Sequence, residues 1–419
     1  MSESIVAPAV PRLTYLRIKN YRALRDVEFR DLTPLTMLIG PNGSGKSTVL
    51  DALAFLAEAV GGNLTQAWEK RNLFAGMRTQ GEGGTIDFDI RIASKNRAIR
   101  YSLRLEEHDN YAMPRVFVKD ETIWDETSGE ELCHLSGKYF GDSSRENFYP
   151  FLNVYKYPHD AESKSYCNPD WLFVALARPT DTVGGTEVRQ VALAIKAVLS
   201  SYRNIHLTDD HLKGYSDTRP RARLSSNGDN LPNVLYYLHD KHPATFEKIK
   251  TQLRRWVPGL ADIVTEITSD ERLLLRFKDA PFEKPLPAQY MSGGTMRLAA
   301  LLTLLYEPNA TGLLGIEEPD NELHPLLLYR LAEELGKATE TRQLLVTTHS
   351  PMLLDALAPE QVWILHRDAE GYTQATRTAD IPNVPELVED GSPLGYLWTS
   401  NAFHVGNPLA SFHPRPDAR

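Results

Sequence analysis

"GPNGSGKST", Gly40 to Thr48, follows the apolar run Leu35-Thr36-Met37-Leu38-Ile39 and opens into "VLDALAFLAEAV". A continuous apolar run is what a strand buried on both faces requires. The apolar-rich stretch after the turn reads as a helix. Between strand and helix, a glycine-rich turn lets backbone N–H groups converge, and the helix adds its positive end, so phosphate is held there. Gly40, Gly45, Lys46 and Ser47 fit G-x-x-x-x-G-K-[ST]. The candidate nucleotide-binding set is Asn42, Gly43, Ser44, Gly45, Lys46, Ser47 and Thr48. Within it Lys46 reaches the β- and γ-phosphates of ATP, and the Ser47 hydroxyl ligates Mg²⁺.

The chain of 419 residues is 42% hydrophobic, enough for one large domain or two smaller ones. A formal net charge of −9 disfavours a protein that wraps nucleic acid over its whole surface, though a local basic groove is allowed. Two cysteines, Cys133 and Cys167, do not make a disulfide framework. The N-terminus lacks the charged start and apolar run of a signal peptide, and no stretch approaches the length of a transmembrane helix. The expectation is a soluble cytoplasmic protein that does not engage a membrane.

"TYLRIKNYRALRDVEF" reads as two short strands around a turn at Asn20 to Arg25. From Thr85, apolar residues recur with period two (Ile86, Phe88, Ile90, Ile92, then Tyr101, Leu103, Leu105), predicting an antiparallel layer that "RVFVKD" and "ETIWD" extend. Residues 126–170 read as irregular and "WLFVALA" (171–177) as a buried strand. "TEVRQVALAIKAVLSSY" is an apolar-faced helix and 214–231 a loop. "LPNVLYYLHD" and "ATFEKIKTQLRRWV" read as helices, with Phe246, Ile249, Leu253 and Trp256 on one face. "IVTEIT" and "RLLLRFK" form a hairpin. After Gln289, helices alternate with the strands "LLGIE", "QLLVTT" and "VWILHRD", the pattern of a parallel α/β core. The last dozen residues read as disordered.

Three further motifs follow the phosphate loop. Ser292-Gly293-Gly294 precedes the helix "LAALLTLLYE". "LLGIEEP" sets Glu317 and Glu318 at a strand end, where Glu317 can hold Mg²⁺ through water and Glu318 can orient and deprotonate an attacking water. "LVTTHSP" ends a strand in His349, placed to sense a γ-phosphate. Singly, each has a plain alternative: a helix-capping loop, surface acids at a strand end, a structural histidine. Their order carries the weight.

Phosphate loop, Ser-Gly-Gly, two acids and histidine, in that order, resemble the ABC-type ATPases of the SMC, RecF and OLD group, and within it the stand-alone AAA_21-type ATPases. "YLRIKNYRALRDVEF" looks like that group's N-terminal hairpin, "LSSNGDNLPNVLYYL" like a segment of the inserts, and "PLGYLW" like the C-terminal tails. The resemblance implies an α/β P-loop NTPase core of ABC type with an N-terminal antiparallel β-lobe. A mixed α/β insertion lies between phosphate loop and Ser-Gly-Gly motif. The expected divisions are 12–125, 126–280 (α-rich, with the hairpin) and 281–407. The resemblance also implies that Ser292, Gly293 and Gly294 of one protomer complete the ATP site of another. Two protomers then enclose two ATP molecules, with "DNELHP" (Asp320 to Pro325) at the shared interface. The chain departs from the group in Glu317, where Asp is usual, and in Met291 and Met296. The glutamine that links ATP to the β-lobe is not obvious, with Gln80 as candidate. No coiled coil fills the gap to Ser292, which excludes an SMC-type rod. The 70 residues after His349 hold only "HRDAEG" as an acidic cluster near a strand end, too little for a Toprim nuclease, so a nuclease is expected on a separate chain.

Two functions compete. One is an ATP-driven homodimer or higher oligomer acting in phage defence or DNA repair with a separate effector, with Arg219, Arg221, Arg223, Arg254 and Arg255 as a possible DNA groove. The other is an ATP-dependent scaffold that sequesters a toxin or nuclease and answers a protein trigger, with DNA irrelevant. A transporter ATPase fits the insert and the N-terminal hairpin poorly.

Overall fold

A computed structural model describes residues 10–94, 97–108, 115–140, 147–154, 165–166, 186–214, 216–407 and 409. The expectations for 171–177, Cys167 and most of the C-terminal dozen lie outside these residues. The chain opens with the hairpin β1 (Arg12–Tyr21) and β2 (Leu24–Phe29), then β3 (Leu35–Ile39). The phosphate loop leads into α1 (Lys46–Val60), followed by the short α2 (Leu64–Glu69) and α3 (Leu73–Met77). Five strands come next: β4 (Ile86–Ser94), β5 (Arg97–His108), β6 (Arg115–Asp125), β7 (Glu130–Phe140) and β8 (Asn147–Val154), with a two-residue β9 (Ser165–Tyr166).

The reading of 126–170 as irregular is corrected here. β7, β8 and β9 continue one antiparallel sheet, ordered β2-β1-β4-β5-β6-β7-β8-β9. Periodicity hid them for a physical reason. The pairing slips at Ile123/Trp124, Leu132 and Cys133 are consecutive apolar residues, and in β8 the apolar pairs Phe148-Tyr149 and Phe151-Leu152 flank Pro150 without alternation. The division expected at residue 125 therefore falls inside a sheet.

Next come α4 (Thr186–Ser200), β10 (Arg203–Ile205), α5 (Asp209–Leu212), β11 (Ser216–Asp217), α6 (Leu231–Lys241), α7 (Pro243–Trp256), β12 (Leu260–Ile267), β13 (Arg272–Asp279) and β14 (Leu286–Pro287). α7 buries the face read from its sequence, Phe246, Ile249, Leu253 and Trp256. The C-terminal part alternates as expected: α8 (Gly293–Leu305), β15 (Gly312–Glu317), α9 (Leu328–Ala338), β16 (Arg342–Thr348), α10 (Pro351–Leu354), β17 (Val362–Arg367) and β18 (Thr373–Arg377), closed by α11 (Val384–Glu389) and α12 (Leu394–Thr399).

The second sheet runs β10-β15-β16-β3-β17-β18, parallel except for the β17–β18 hairpin. Its central strands β15, β16 and β3 carry apolar runs because both faces are covered. Leu38, Leu313, Leu345, Trp363 and Leu365 pack with α1, α4 and the antiparallel sheet. Met37, Ile39, Leu314, Ile316, Leu344 and Val346 pack on the other side with α6 to α9. This α/β architecture, a P-loop core with an antiparallel lobe, is the fold class expected.

One buried polar side chain ties the two sheets. Gln343 of β16, 3% exposed, accepts from Leu13 N (2.8 Å) and donates to Leu13 O (2.7 Å) and Thr33 O (3.1 Å). Truncating it leaves a buried amide and carbonyl of β1 unpaired. Gln343→Ala is expected to lower unfolding stability by about 2–4 kcal/mol, read as a fall in the urea midpoint. An unchanged midpoint would show that the bridge contributes nothing.

Candidate functional site

The C-terminal ends of parallel strands share one edge of a sheet, so β3, β15 and β16 deliver their terminal residues together. Gly40, Gly43 and Gly45 all have positive φ (157°, 74° and 102°). Two of them are also crowded. A Cβ on Gly40 would lie 2.0 Å from Leu365 O, and one on Gly45 would lie 2.5 Å from Thr373 Oγ1. Only glycine fits such a loop. The β17–β18 hairpin braces it from outside: Arg367 Nε donates to Gly43 O (2.6 Å) and Thr373 Oγ1 to Ser44 O (2.9 Å). The Gly43 and Ser44 carbonyls are thus engaged by the hairpin, while those of Gly40 and Pro41 face Lys46. The Ser44 hydroxyl is buried with no protein partner, as suits a group that meets phosphate. Asn42, Gly43 and Ser47 are exposed and Thr48 is half-buried.

Lys46 begins α1, is 6% exposed, and donates through Nζ to Gly40 O (2.9 Å) and Pro41 O (3.1 Å). Burial pushes its ammonium down to about 8, and nearby Glu318 pulls the other way.

β15 ends in Glu317. Its Oε1 accepts from Asn204 Nδ2 (2.7 Å), and its Oε2 lies 3.7 Å from His206 Nδ1. Glu318 follows with a left-handed φ of 43°, an expensive conformation for a side-chain-bearing residue. It is held there from both sides: its N–H donates to Thr347 O (3.0 Å), and its carbonyl accepts from Arg297 Nη1 (3.3 Å). Its carboxylate accepts from Asn321 Nδ2 (2.7 Å) and stands 3.6 Å from His349 Nε2. Burial lowers the His349 pKa, and Lys46 lowers it further, so the imidazole is neutral at pH 7. Asp320 is held by Thr348 Oγ1 (2.7 Å), and its burial raises its pKa. The structure thus brings Lys46, Glu318 and His349 together, with Glu317 beside Glu318.

Ser292 caps α8, its Oγ accepting from Thr295 N (3.2 Å). The two glycines after it lie against the turn that follows β15, Gly294 against its backbone and Gly293 against the end of a side chain. A Cβ on Gly294 would fall 2.5 Å from Glu322 O, and one on Gly293 would fall 1.9 Å from Glu322 Oε2. Arg297, one turn along, is buried and bonds Leu207 O (3.1 Å) as well as Glu318 O. A shift of α8 therefore reaches the Glu318 backbone directly.

Gln80 is exposed, and its carbonyl accepts from Tyr372 Oη (3.4 Å) on the hairpin side of the loop. The side chains that reach Glu317 are Asn204 and His206. Sequence reading missed these two, and Arg297, Arg367 and Thr373 as well. No motif marks them, because each acts through a contact more than twenty residues away in the chain. Of the five arginines, Arg221 pairs with Asp217 (3.5 Å) and Arg254 with Glu247 (3.7 Å). Among the described residues no helix is long and apolar enough to cross a membrane.

A family model described as "AAA domain, putative AbiEii toxin, Type IV TA system" (AAA_21) matches residues 35–147 and 138–355. An OLD nuclease of Thermus scotoductus (strain ATCC 700910 / SA-01) is 49% identical over 41 residues, 10% of this chain and 8% of that protein, so the match spans under a tenth of that relative. Among solved structures, an SMC head bound to the C-winged helix domain of ScpA aligns with TM-score 0.47 and 13% identity, over 87% of this chain and 97% of that one. The SMC head domain from Thermotoga maritima aligns with TM-score 0.40 and 13% identity, over 87% and 98%.

The lowered Lys46 pKa has opposite consequences for folding and binding. The folded value of about 8 lies below the ordinary 10.5, so stability rises as pH climbs between the two. Phosphate needs the charged ammonium. ATP affinity is therefore expected to be flat below pH 8 and to fall above it, by at most about tenfold per pH unit. Calorimetric titrations across pH 7 to 9.5 test this. A flat profile would mean that Lys46 keeps its charge throughout.

Proposed function

The chain belongs to the AAA_21 family and is an ATPase of that type, and from this premise we propose that it works as a nucleotide-driven switch. Two protomers close around ATP, hydrolysis opens them, and a separate effector or nuclease chain reads the difference, in phage defence or DNA repair. The observation that carries this reading is the convergence of Lys46, Glu318 and His349 at one sheet edge, with Glu317 beside them.

The parts divide as follows. The phosphate loop from Asn42 to Thr48 cradles the phosphates, and Lys46 leaves the carbonyls of Gly40 and Pro41 to meet the β- and γ-oxygens. Ser47 and Glu317 hold Mg²⁺, which when bound neutralises phosphate charge. The donor set suits it: a hydroxyl and a carboxylate, both oxygen ligands. Glu318, with its backbone fixed and its carboxylate steadied by Asn321, orients a water and takes its proton. His349, neutral, donates a hydrogen bond to the γ-phosphate. The N-terminus of α8, with Ser292, Gly293 and Gly294, meets the γ-phosphate bound by the partner protomer. Release of γ-phosphate removes the ligand that α8 of the partner holds, and the clamp opens.

The ion pairs of Arg221 and Arg254 support a second reading, in which the closed oligomer restrains a toxin or nuclease and responds to a protein trigger without DNA. The antiparallel sheet adds to it. Among the described residues several of its cations pair with acids, as in Arg17–Asp26 (2.7 Å), Lys119–Glu106 (2.8 Å) and Arg100–Asp89, which reduces the positive charge offered to phosphate.

Glu318→Gln is expected to bind ATP and accumulate as a dimer by light scattering, while Lys46→Ala stays unassembled. A Glu318→Gln monomer at saturating ATP would sink the sandwich. Steady-state ATP turnover with and without linear double-stranded DNA at low salt, with Glu318→Gln as blank, separates the two readings. DNA stimulation favours the clamp, and indifference to DNA favours the protein-triggered scaffold.

A further inference from the structure

β10 is only three residues long, yet it sits beside β15 in parallel register, with Asn204 opposite Gly315 and Ile205 opposite Ile316. Gly315 makes space for what β10 brings. A Cβ there would lie 2.2 Å from Tyr202 Oη and 3.1 Å from Asn204 Oδ1. Tyr202 Oη in turn donates to Leu50 O of α1 (3.0 Å). The edge strand is thereby fastened to the helix that carries the phosphate loop. From this fixed base Asn204 Nδ2 donates to Glu317 Oε1 at 2.7 Å. The other amide atom, Asn204 Oδ1, is buried without a protein partner.

Glutamate carries its carboxylate on two methylenes, so the group can swing through several rotamers. Holding a metal-bound water demands one orientation, and a second group that fixes a ligand's orientation commonly sets metal affinity. We propose that Asn204 is the positioning residue for Glu317. By engaging Oε1 it fixes the carboxylate, whose Oε2 lies 3.7 Å from His206 Nδ1, in one orientation from which Glu317 would hold Mg²⁺ through water. This inference rests on the ATPase-site reading above and assigns a role to a strand that no motif announces.

The test is magnesium-dependent binding of a fluorescent ATP analogue, in a Glu318→Gln background so that nothing is hydrolysed. The half-saturating Mg²⁺ concentration is compared among the parent, Asn204→Ala, Glu317→Asp and the double variant. Asn204→Ala is expected to raise it about tenfold, with affinity for magnesium-free ATP held within about twofold. Aspartate ends about 1.5 Å short of glutamate, out of reach of the Asn204 amide. In the Glu317→Asp background, Asn204→Ala should therefore add nothing, which is the signature of two residues acting as one unit.

An unchanged magnesium requirement in Asn204→Ala overturns the proposal. So does an equal tenfold loss in the Glu317→Asp background, because Asn204 would then act through the sheet edge and not through Glu317. Should the alanine variant fail to fold, Asn204→Ser, whose hydroxyl is too short to reach Glu317, gives the same reading. A parent protein that shows no magnesium-dependent binding at all overturns the ATPase-site reading itself, and with it this role.

Discussion

Burial of a lysine at the start of α1, folded back on the loop that leaves a fully buried strand, is the constraint on which the rest of the site is built. A cation removed from water is costly unless polar atoms replace the solvent, and among the described residues two loop carbonyls and the nearby Glu318 do so for Lys46. That arrangement requires a loop whose backbone doubles back on its own lysine, hence the positive φ of Gly40, Gly43 and Gly45. It also requires something to hold so irregular a loop still. The β17–β18 hairpin does this with one arginine and one threonine on consecutive loop carbonyls. Phosphate is the natural replacement for those carbonyls, because it offers Lys46 a full opposite charge.

The acidic side of the site follows the same logic with opposite sign. Glu317 and Glu318 are adjacent, so two carboxylates of like charge must be turned to different partners. The left-handed backbone at Glu318 turns them apart, with Glu317 toward β10 and Glu318 toward Asn321 and His349. Arg297 then joins this strained residue to α8, whose first turn is the surface offered to a second protomer in the proposed switch. Strain at Glu318 and the position of α8 are mechanically linked by one buried guanidinium. Such a link is what a two-state element needs if closure is to influence chemistry.

Gln343 shows how the antiparallel lobe is kept in register with this machinery. Its amide replaces a missing strand partner for Leu13, so the lobe cannot slide on the parallel sheet without exposing buried polar groups. In the sequence, Gln343 reads as the polar first residue of an apolar strand. Nothing local distinguishes it from a solvent-facing terminus.

Much of the core was legible from residues alone, because its determinants are local. Apolar runs of five or six residues mark strands covered on both sides, and glycine spacing before a lysine marks a phosphate loop. The short motifs mark the C-terminal ends of β3, β15 and β16, next to which the candidate residues Lys46, Glu317, Glu318 and His349 stand. Period two identified β4 and β5 but lost β7 and β8, where a register slip and adjacent apolar residues break the alternation. What the sequence determined, then, is the identity of the groups whose chemistry depends on type and spacing. Which side chains hold those groups in place was decided only by tertiary structure. Asn204, Arg297, Arg367, Thr373 and Gln343 each act across long stretches of chain, and a hydrogen bond of that range leaves no periodicity to read.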